Sequence, residues 1–249
     1  MLNGLVTAMR TLTALPVPGR DAKAMSDALP WFPVVGFLLG AILYALARGA
    51  VELTPPFWPQ AVGVLVVAGS ALLTRGLHLD GLADCADGFG GARDKTKILA
   101  IMKDPRVGAF GVIALVLVLL GQWVCATRLA ETGRLEWLIA AGVLSRTALV
   151  DLAVAQPYAR AEGGTGAPFV AGARLKHLAA AVLLAVVLLV AAGRGSPVYL
   201  AALLPAWLLS RLFGFWCRRR VGGVTGDLLG AGGVLTETAV LLMGALLGG

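Results

Sequence analysis

Long apolar segments alternate with short polar ones along the whole chain. A helix that crosses a bilayer needs about 20 mostly apolar residues, and seven segments come near that length. They are residues 31–51, 60–74, 109–127, 137–155, 177–192, 198–209 and 232–247. The second, fifth and sixth are short, so six spans are also compatible with the pattern. We predict an all-α, polytopic integral membrane helical bundle in which residues 1–249 form one domain.

The first fifteen residues show a different pattern. Apolar side chains recur there at helical spacing on one side of the chain, at Leu2, Leu5, Val6, Met9 and Leu12. Prolines follow at positions 16 and 18 and end the pattern. A helix with one apolar face lies in the plane of the membrane interface, so we expect an interfacial amphipathic helix before the first span.

Composition and charge agree with a membrane protein. Hydrophobic residues make up 58% of the chain and charged residues 14%, and the mean hydropathy of +0.84 excludes an ordinary soluble domain. With the N-terminus in the cytoplasm, 16 of the 21 Lys and Arg residues fall in cytoplasmic segments, four fall outside and Arg146 lies within a span. Cytoplasmic loops carry such a surplus. We therefore expect membrane lipid and no nucleic acid as a partner, and the sequence is compatible with an oligomer.

Acidic residues concentrate in the segment of residues 75–111. It holds Asp80, Asp84, Asp87, Asp94 and Asp104, five of the fourteen in the chain. On a helix the first three would lie at about 0°, 40° and −20°, on one narrow face. Like charges so placed destabilise a helix, and carboxylates are ligands that Mg²⁺ and Mn²⁺ prefer. The spacing predicts a metal site, with a solvated acidic face at the membrane surface as the alternative.

Cationic residues and two glycine-rich loops are further candidates for the predicted site. Lys103 and Arg106 are donors suited to phosphate, although cations are common at any membrane surface, and Asp104 either orients them or binds metal. The loop of residues 157–168, PYARAEGGTGAP, carries Arg160 and is suited to cover a ligand, with a plain linker as the alternative. A last loop, residues 218–233, reads RRRVGGVTGDLLGAGG. Its Asp227 is placed to complete the metal site, because both loops are predicted on the same side of the membrane.

Two ionisable residues fall within the fourth predicted span. Arg146 and Asp151 are about 140° apart on a helix, so they are poor partners for each other. Charges inside a membrane face a partner or a cavity. We expect each of them to face a polar interior.

The motif HLDGLADCADGFGGARDKTKILAIMKDPRVGAFG resembles the signature segment of the cobalamin synthase family, the adenosylcobinamide-GDP ribazoletransferases. LTALPVPG, PYARAEGGTGAPF and VGGVTGDLLGA with Glu237 are similar to further family patterns, in the same order and across nearly the whole chain. One departure is Ala14, where the family commonly has an arginine. Any role of that arginine is therefore in doubt for this chain.

The resemblance implies an enzyme of corrinoid assembly in a bacterial cytoplasmic membrane. In that family the ribose hydroxyl of α-ribazole, or of its 5′-phosphate, attacks the cobinamide-linked phosphorus of adenosylcobinamide-GDP, and GMP leaves. The family requires Mg²⁺, for which Mn²⁺ is a possible substitute. Such transfer needs positioning and neutralisation of charge.

Residue roles follow from the motif and the resemblance together. The expected metal ligands and catalytic residues are Asp80, Asp84, Asp87 and Asp227. The expected substrate-binding residues are Lys103, Asp104, Arg106, Arg160 and Thr225. We expect this site to face the cytoplasm.

Two other functions compete with this prediction. The clustered aspartates are similar to those of CDP-alcohol phosphotransferases, but the match is partial because Asp80-Gly81 is followed by Leu82-Ala83-Asp84. A cation-coupled transporter also places carboxylates along a polar pathway. Its key carboxylates would lie near mid-membrane, where only Asp151 and Arg146 are expected.

Overall fold

Helices dominate the structure. The computed structural model describes residues 2–53 and 58–247, and within them the only bridge between extended segments pairs Tyr158 with Val224. A 3-10 helix, Met25–Trp31, joins the first two of twelve α-helices. These are α1 Leu2–Leu12, α2 Phe32–Leu53, α3 Pro59–Thr74, α4 Leu77–Gly91, α5 Lys95–Ile101, α6 Ala109–Glu131, α7 Glu136–Ala155, α8 Ala167–Gly172, α9 Leu175–Ala192, α10 Pro197–Ala201, α11 Leu203–Val221 and α12 Gly226–Leu246.

Six helical segments are long and apolar enough to cross a membrane. They are Met25–Leu53, Ala109–Glu131, Glu136–Ala155, Leu175–Ala192, Pro197–Val221 and Gly226–Leu246. A seventh span is reached only if α3 and α4 count as one, although they are bent by 91°. The predicted helical membrane bundle is confirmed, and all seven predicted segments lie on helices. Residues 52–59, where prolines at positions 55, 56 and 59 predict a short connector, fall partly outside the described residues, which omit 54–57.

Helix α7 lies at the centre of the bundle. Its residues from Trp137 to Ala153 are all buried, as expected for a helix that is apolar all round. It packs against α2, α9, α11 and α12. Gly36 of α2 meets Gly142 of α7, where a Cβ on either residue would collide with the other's carbonyl oxygen. Small residues at such crossings let membrane helices approach closely.

The charges on α7 have partners on neighbouring helices. Arg146 pairs with Glu237 of α12, and the hydroxyl of Ser145 donates to the same carboxylate at 3.3 Å. One oxygen of Asp151 lies 2.7 Å from Nη2 of Arg211, and the other accepts from Ser210 at 2.8 Å. As expected, Arg146 and Asp151 do not pair with each other.

The chain turns sharply between α3 and α4. Arg75 and Gly76 both have left-handed backbone conformations, with φ of 54° and 65°. Glycine adopts this conformation freely, whereas an arginine there is uncommon. The Arg75 side chain donates from Nη2 to the carbonyl oxygen of Thr13 at 3.0 Å. This contact fixes the turn to the N-terminal segment, and α4 runs off at a right angle to α3.

The far end of α4 is also fixed. Arg220 of α11 donates to the carbonyl oxygens of Phe89 at 3.0 Å and of Ala92 at 2.7 Å. A cation is favourable at a helix C-terminus, where carbonyl groups lack helical partners. The guanidinium also lies over the Phe89 ring, 4.9 Å from its centroid. Arg220 therefore anchors α4, in addition to contributing positive charge from which the orientation of the chain in the membrane is predicted.

The glycine-rich segment of residues 218–233 is not the long loop that we predicted. Helix α11 continues to Val221 and α12 begins at Gly226, so only four residues connect them. The glycines mark helix packing instead of a loop. A Cβ on Gly230 would lie 3.3 Å from Cα of His78, and one on Gly232 would lie 2.5 Å from a methyl group of Leu152.

The N-terminal helix is confirmed, but its environment differs in part from the expected one. Leu2 is 76% exposed, and the buried side consists of Gly4, Thr7, Ala8 and Leu12. That side packs against the 3-10 helix and α2. Helix α1 is thus part of the protein core as well as amphipathic.

Candidate active site

The aspartate helix α4 crosses the beginning of α12 at very short distance. A Cβ on Gly81 would lie 2.6 Å from the carbonyl oxygen of Asp227 and 3.0 Å from its Cα. Only glycine permits this approach. It brings Asp80 and Asp84, which flank Gly81 on α4, to the first turn of α12. The two segments that we expected to share a site therefore do meet.

Thr225 organises the first turn of α12. Its hydroxyl oxygen accepts a hydrogen bond from the backbone N–H of Leu228 at 3.2 Å, which is the usual N-cap contact. The hydroxyl lies 3.2 Å from an oxygen of Asp227, to which it donates. Thr225 is fully buried. The structure thus accounts for Thr225 as the residue that orients Asp227, while direct substrate binding by Thr225 stays a prediction.

A short backbone bridge brings the loop of residues 157–168 to the same place. The N–H of Ala159 donates to the Val224 carbonyl at 2.8 Å, and the N–H of Val224 donates to the Pro157 carbonyl at 2.9 Å. The next residue is Arg160, whose Nη2 lies 3.1 Å from an oxygen of Asp227. Two loops that are far apart in sequence are therefore held side by side.

One buried donor in this loop, Nε of Arg160, has no hydrogen-bond partner in the described part of the chain. The Tyr158 hydroxyl lies beside Arg160 and the backbone of Gly226. A buried donor without a partner is costly, and a ligand oxygen that accepts from Nε of Arg160 would remove this cost. The predicted Arg160 is thus in the site. Tyr158 was missed, because a tyrosine after a proline has no distinctive spacing in the sequence.

The three aspartates of α4 occupy different environments, although they share one helical face as predicted. Asp80 is exposed, Asp84 is half-buried and Asp87 is buried. Burial raises the pKa of Asp84 to about 6, helped by the negative charges of Asp227 and Asp80 and opposed by Arg160. Helix α4 is not among the six spans. Burial is thus the main cause of the raised pKa, and the carboxylates of Asp227 and Asp80 add to it.

Asp87 serves as an anchor for α6. One of its oxygens accepts from the N–H of Gly108 at 2.7 Å, and the other accepts from the N–H of Gly111 at 2.8 Å. Carboxylates stabilise helix N-termini in this way, because the first N–H groups lack partners inside the helix. Both oxygens of Asp87 are thus occupied by the backbone, which distinguishes it from Asp80 and Asp84.

The cations of the acidic segment lie at the periphery of the site. Asp104 accepts from Nε of Arg106 at 2.9 Å and from Nη2 at 2.6 Å, and these bonds lower the pKa of Asp104 to about 2. Lys103 pairs with Glu162 in the loop of residues 157–168. Asp104 therefore orients Arg106, one of the two roles considered for it, and Lys103 ties two loops together.

The acidic side chains of this site meet the needs of a magnesium ion only in part. No three His, Cys, Asp or Glu side chains within residues 2–53 and 58–247 form a group that could hold a metal by themselves. Mg²⁺ is usually held by one or two carboxylates together with substrate phosphates and water. Asp80 and Asp84 offer carboxylates that have no ion pair or hydrogen bond with the described residues, beside Asp227, which pairs with Arg160. These residues fit a magnesium ion that substrate helps to hold.

Two cavities adjoin at Asp80. The smaller, of about 280 Å³, lies between α1, α4, α7, α8 and α12 and is also lined by Asp227. The larger, of about 510 Å³, lies at the turn between α3 and α4 and is lined by Arg75. Thr11, Leu77 and Asp80 border both cavities. One carboxylate thus faces two spaces with different linings, an arrangement suited to joining two molecules.

Comparison with known proteins agrees with this geometry. The family model for cobalamin-5-phosphate synthase matches residues 4–245. The chain belongs to this family. Similar curated proteins include the adenosylcobinamide-GDP ribazoletransferase of Chlorobaculum parvum, 49% identical over 99% of this chain and 96% of its own. The protein of the same name from Chlorobium chlorochromatii is 49% identical over 99% and 97%, and that from Syntrophobacter fumaroxidans is 38% identical over 94% and 95%. No solved structure matches.

The segments that carry the family resemblance converge in space. The aspartate motif forms α4, the VGGVTGDLLGA motif forms the start of α12, and the PYARAEGGTGAP loop bridges to Val224. The LTALPVPG segment follows α1 and contacts the turn before α4, where the N–H of Ala14 donates to the carbonyl of Leu73 at 2.7 Å. Motifs distributed over this chain thus surround one site.

Proposed function

We propose that this protein joins the nucleotide loop of cobalamin. The ribose hydroxyl of α-ribazole, or of α-ribazole 5′-phosphate, attacks the cobinamide-linked phosphorus of adenosylcobinamide-GDP. A new phosphorus–oxygen bond forms, the bond to the GMP oxygen breaks, and GMP leaves with that electron pair. The product is adenosylcobalamin, or its 5′-phosphate. The observation that carries the proposal is the crossing of α4 and α12, which places Asp80 and Asp84 beside Asp227.

The acidic residues receive distinct roles in this proposal. Asp80, Asp84 and Asp227 would hold Mg²⁺, or Mn²⁺ in its place, only together with substrate phosphate oxygens, because no three such side chains among the described residues form a metal site by themselves. The ion when bound neutralises charge on the transferred group. A carboxylate of this group that is not bound to metal takes the proton of the attacking hydroxyl. Asp87 is left out of the ligand set, because backbone N–H groups occupy its oxygens.

Basic and hydroxyl groups bind the diphosphate. Arg160 presents a buried Nε–H beside Asp227 that has no partner among the described residues, and Tyr158 lies next to it. Both side chains would donate hydrogen bonds to phosphate oxygens. Lys103 and Arg106 lie at the edge of the site and are exposed, which suits the departing GMP. The distribution of Lys and Arg supports a cytoplasmic active site, where nucleotide substrates are available.

The test is turnover by the purified protein in lipid. We expect GMP release and cobalamin formation from adenosylcobinamide-GDP and α-ribazole 5′-phosphate with Mg²⁺ or Mn²⁺, and none with a chelator in excess. Free α-ribazole is tested in parallel to identify the preferred acceptor. Absence of product from a folded sample with both acceptors would contradict the proposal, and CDP-alcohols would then be tested as substrates.

A further inference from the structure

The smaller of the two cavities at Asp80 is mainly apolar. Its wall is formed chiefly by Leu12, Leu29, Phe32, Leu149, Phe169 and Leu229, and its volume is about 280 Å³. The rings of Phe32 and Phe169 lie 5.9 Å apart between centroids and are tilted by 56°. At about 280 Å³ the cavity is just below the roughly 300–1,000 Å³ of pockets that hold drug-sized molecules, a size that suits one bicyclic base.

Five polar side chains line this cavity beside the apolar ones. Asp80 and Asp227 belong to the expected reaction centre, and Thr11 and Thr165 add hydroxyl groups. His78 also lines it, with the ring against Gly230 of α12. His78 is only 7% exposed, and no hydrogen bond of its ring is found with the described residues. A buried imidazole has one N–H to donate and gains stability from an acceptor inside the cavity.

The lining discriminates among the groups that the two substrates contain. A corrin macrocycle is far too large for 280 Å³. Guanine carries several donors and acceptors, and most of them would lose their water partners without replacement against an apolar wall. A dimethylbenzimidazole is an apolar bicycle with two methyl groups and one unsubstituted ring nitrogen in the nucleoside. It matches both the apolar wall and the single imidazole donor.

We propose that this cavity binds the benzimidazole base of the acceptor nucleoside, with His78 donating to its free ring nitrogen and the ribose directed to Asp80. The inference rests on the proposed function, because it takes α-ribazole as the acceptor. The adenosylcobinamide-GDP donor then approaches from the larger cavity, on the Arg75 side of the same aspartate. Residues of the smaller cavity thereby select the lower-ligand base.

The first test fills the cavity. Ala153 of α7 lines it, whereas Ala148 of the same helix lines a separate apolar cavity between α7, α9 and α11. We expect Ala153→Leu to raise KM for α-ribazole 5′-phosphate by about tenfold or more, since extra methyl groups occupy the space of the base. KM for adenosylcobinamide-GDP should stay unchanged. The matched control, Ala148→Leu, should change neither value.

The second test removes the donor. His78→Leu should lower kcat/KM for the benzimidazole nucleotide by about three- to tenfold. It should leave unchanged the value for the corresponding indole nucleotide, which lacks the acceptor nitrogen. His177 is the other histidine of the chain and lies on α9, where it accepts from the N–H of Arg174 at 3.2 Å. The control His177→Leu should not alter the ratio between the two substrates.

Calorimetry measures binding of free α-ribazole without turnover, so it tests the cavity assignment independently of the proposed reaction. Loss of binding in Ala153→Leu, with binding kept in Ala148→Leu, supports the cavity assignment even if turnover is not observed. An increase in the donor KM alone, or equal losses for the benzimidazole and indole nucleotides in His78→Leu, would overturn it. Unchanged binding and kinetics in a folded Ala153→Leu protein would do the same.

Discussion

Charged side chains in the middle of the bundle have oppositely charged partners, whereas two carboxylates at its α4 end have none within the part of the chain that the structure describes. Along α7, Arg146 pairs with Glu237, and Asp151 contacts both Arg211 and Ser210. At the α4 end, Asp80 and Asp84 have no cationic partner among the described residues. Unpaired charges inside a membrane protein are expensive. The bundle therefore balances its buried charges internally, whereas the site keeps a negative excess that a ligand can neutralise.

The largest effect should come from neutralising one of these unbalanced carboxylates. We expect Asp84→Asn to lower kcat by about 100- to 1,000-fold, because a carboxamide cannot replace an anionic ligand. The protein should remain folded, since no ion pair is lost. Asp94→Asn is the matched control, because Asp94 caps α5 through its side chain and Asn caps equally well. GMP release measures both, and near-normal turnover of Asp84→Asn would remove this residue from the site.

Breaking a balanced pair should instead affect stability. Glu237→Gln leaves the Arg146 charge buried without its partner, and we expect a loss of about 3 kcal/mol in the free energy of unfolding. Glu131→Gln is the control, because Glu131 pairs with Arg128 at 3.5 Å on an exposed surface of α6 and should cost less than about 1 kcal/mol. Thermal unfolding in detergent compares the two. Equal losses would show that burial of the Arg146 pair is unimportant.

Asp87 is near the unpaired carboxylates in sequence but has partners, as Glu237 does. A substitution of Asp87 therefore tests whether the site includes this residue. Asp87→Asn removes the charge at the α6 N-terminus and should lower stability by about 1–3 kcal/mol. The Mg²⁺ concentration for half-maximal turnover should not change, because the proposed ligands are elsewhere. Titration of Mg²⁺ against GMP release, beside thermal unfolding, provides the measurement. A shifted Mg²⁺ requirement with native stability would return Asp87 to the ligand set.

The smallest effect is a pH dependence of stability in metal-free protein. The folded-state pKa of Asp84, about 6, exceeds its ordinary value of 3.8. Its contribution to stability is therefore fully present below about pH 3.8 and is lost as the pH rises through about 6. Solvent screens this half-buried group, so the change should stay below about 1 kcal/mol. The free energy of unfolding is measured at pH 5 and pH 7 with chelator present, and its change between the two pH values should be smaller in Asp84→Asn than in the unchanged protein. An equal change in both proteins would show that other groups cause it.

Local patterns predicted the elements of this protein well. The apolar segments became helices, and Asp80, Asp84 and Asp87 do lie on one helix. The largest differences in helix ends are at α11, which runs to Val221 instead of 209, and at α12, which begins at Gly226 instead of 232. Prediction failed where the same residue type occurs in two different structural roles. Glycines in residues 218–233 suggested a loop, yet Gly230 and Gly232 lie in α12 because they let α4, α7 and α11 approach. Asp87 resembled its neighbours in sequence but is held by backbone N–H groups.

By itself the sequence determined the helices, the membrane class and the aspartate motif, because hydrophobicity and helical period act over a few neighbouring residues. The tertiary structure alone decided which polar groups have partners. The Gly81 crossing joins Asp84 to Asp227, the Val224 bridge joins Arg160 to the same residue, and Asp87 is directed to α6. These contacts join residues that are more than twenty positions apart. Burial, charge balance and the free donors of a site therefore depend on packing that no local pattern encodes.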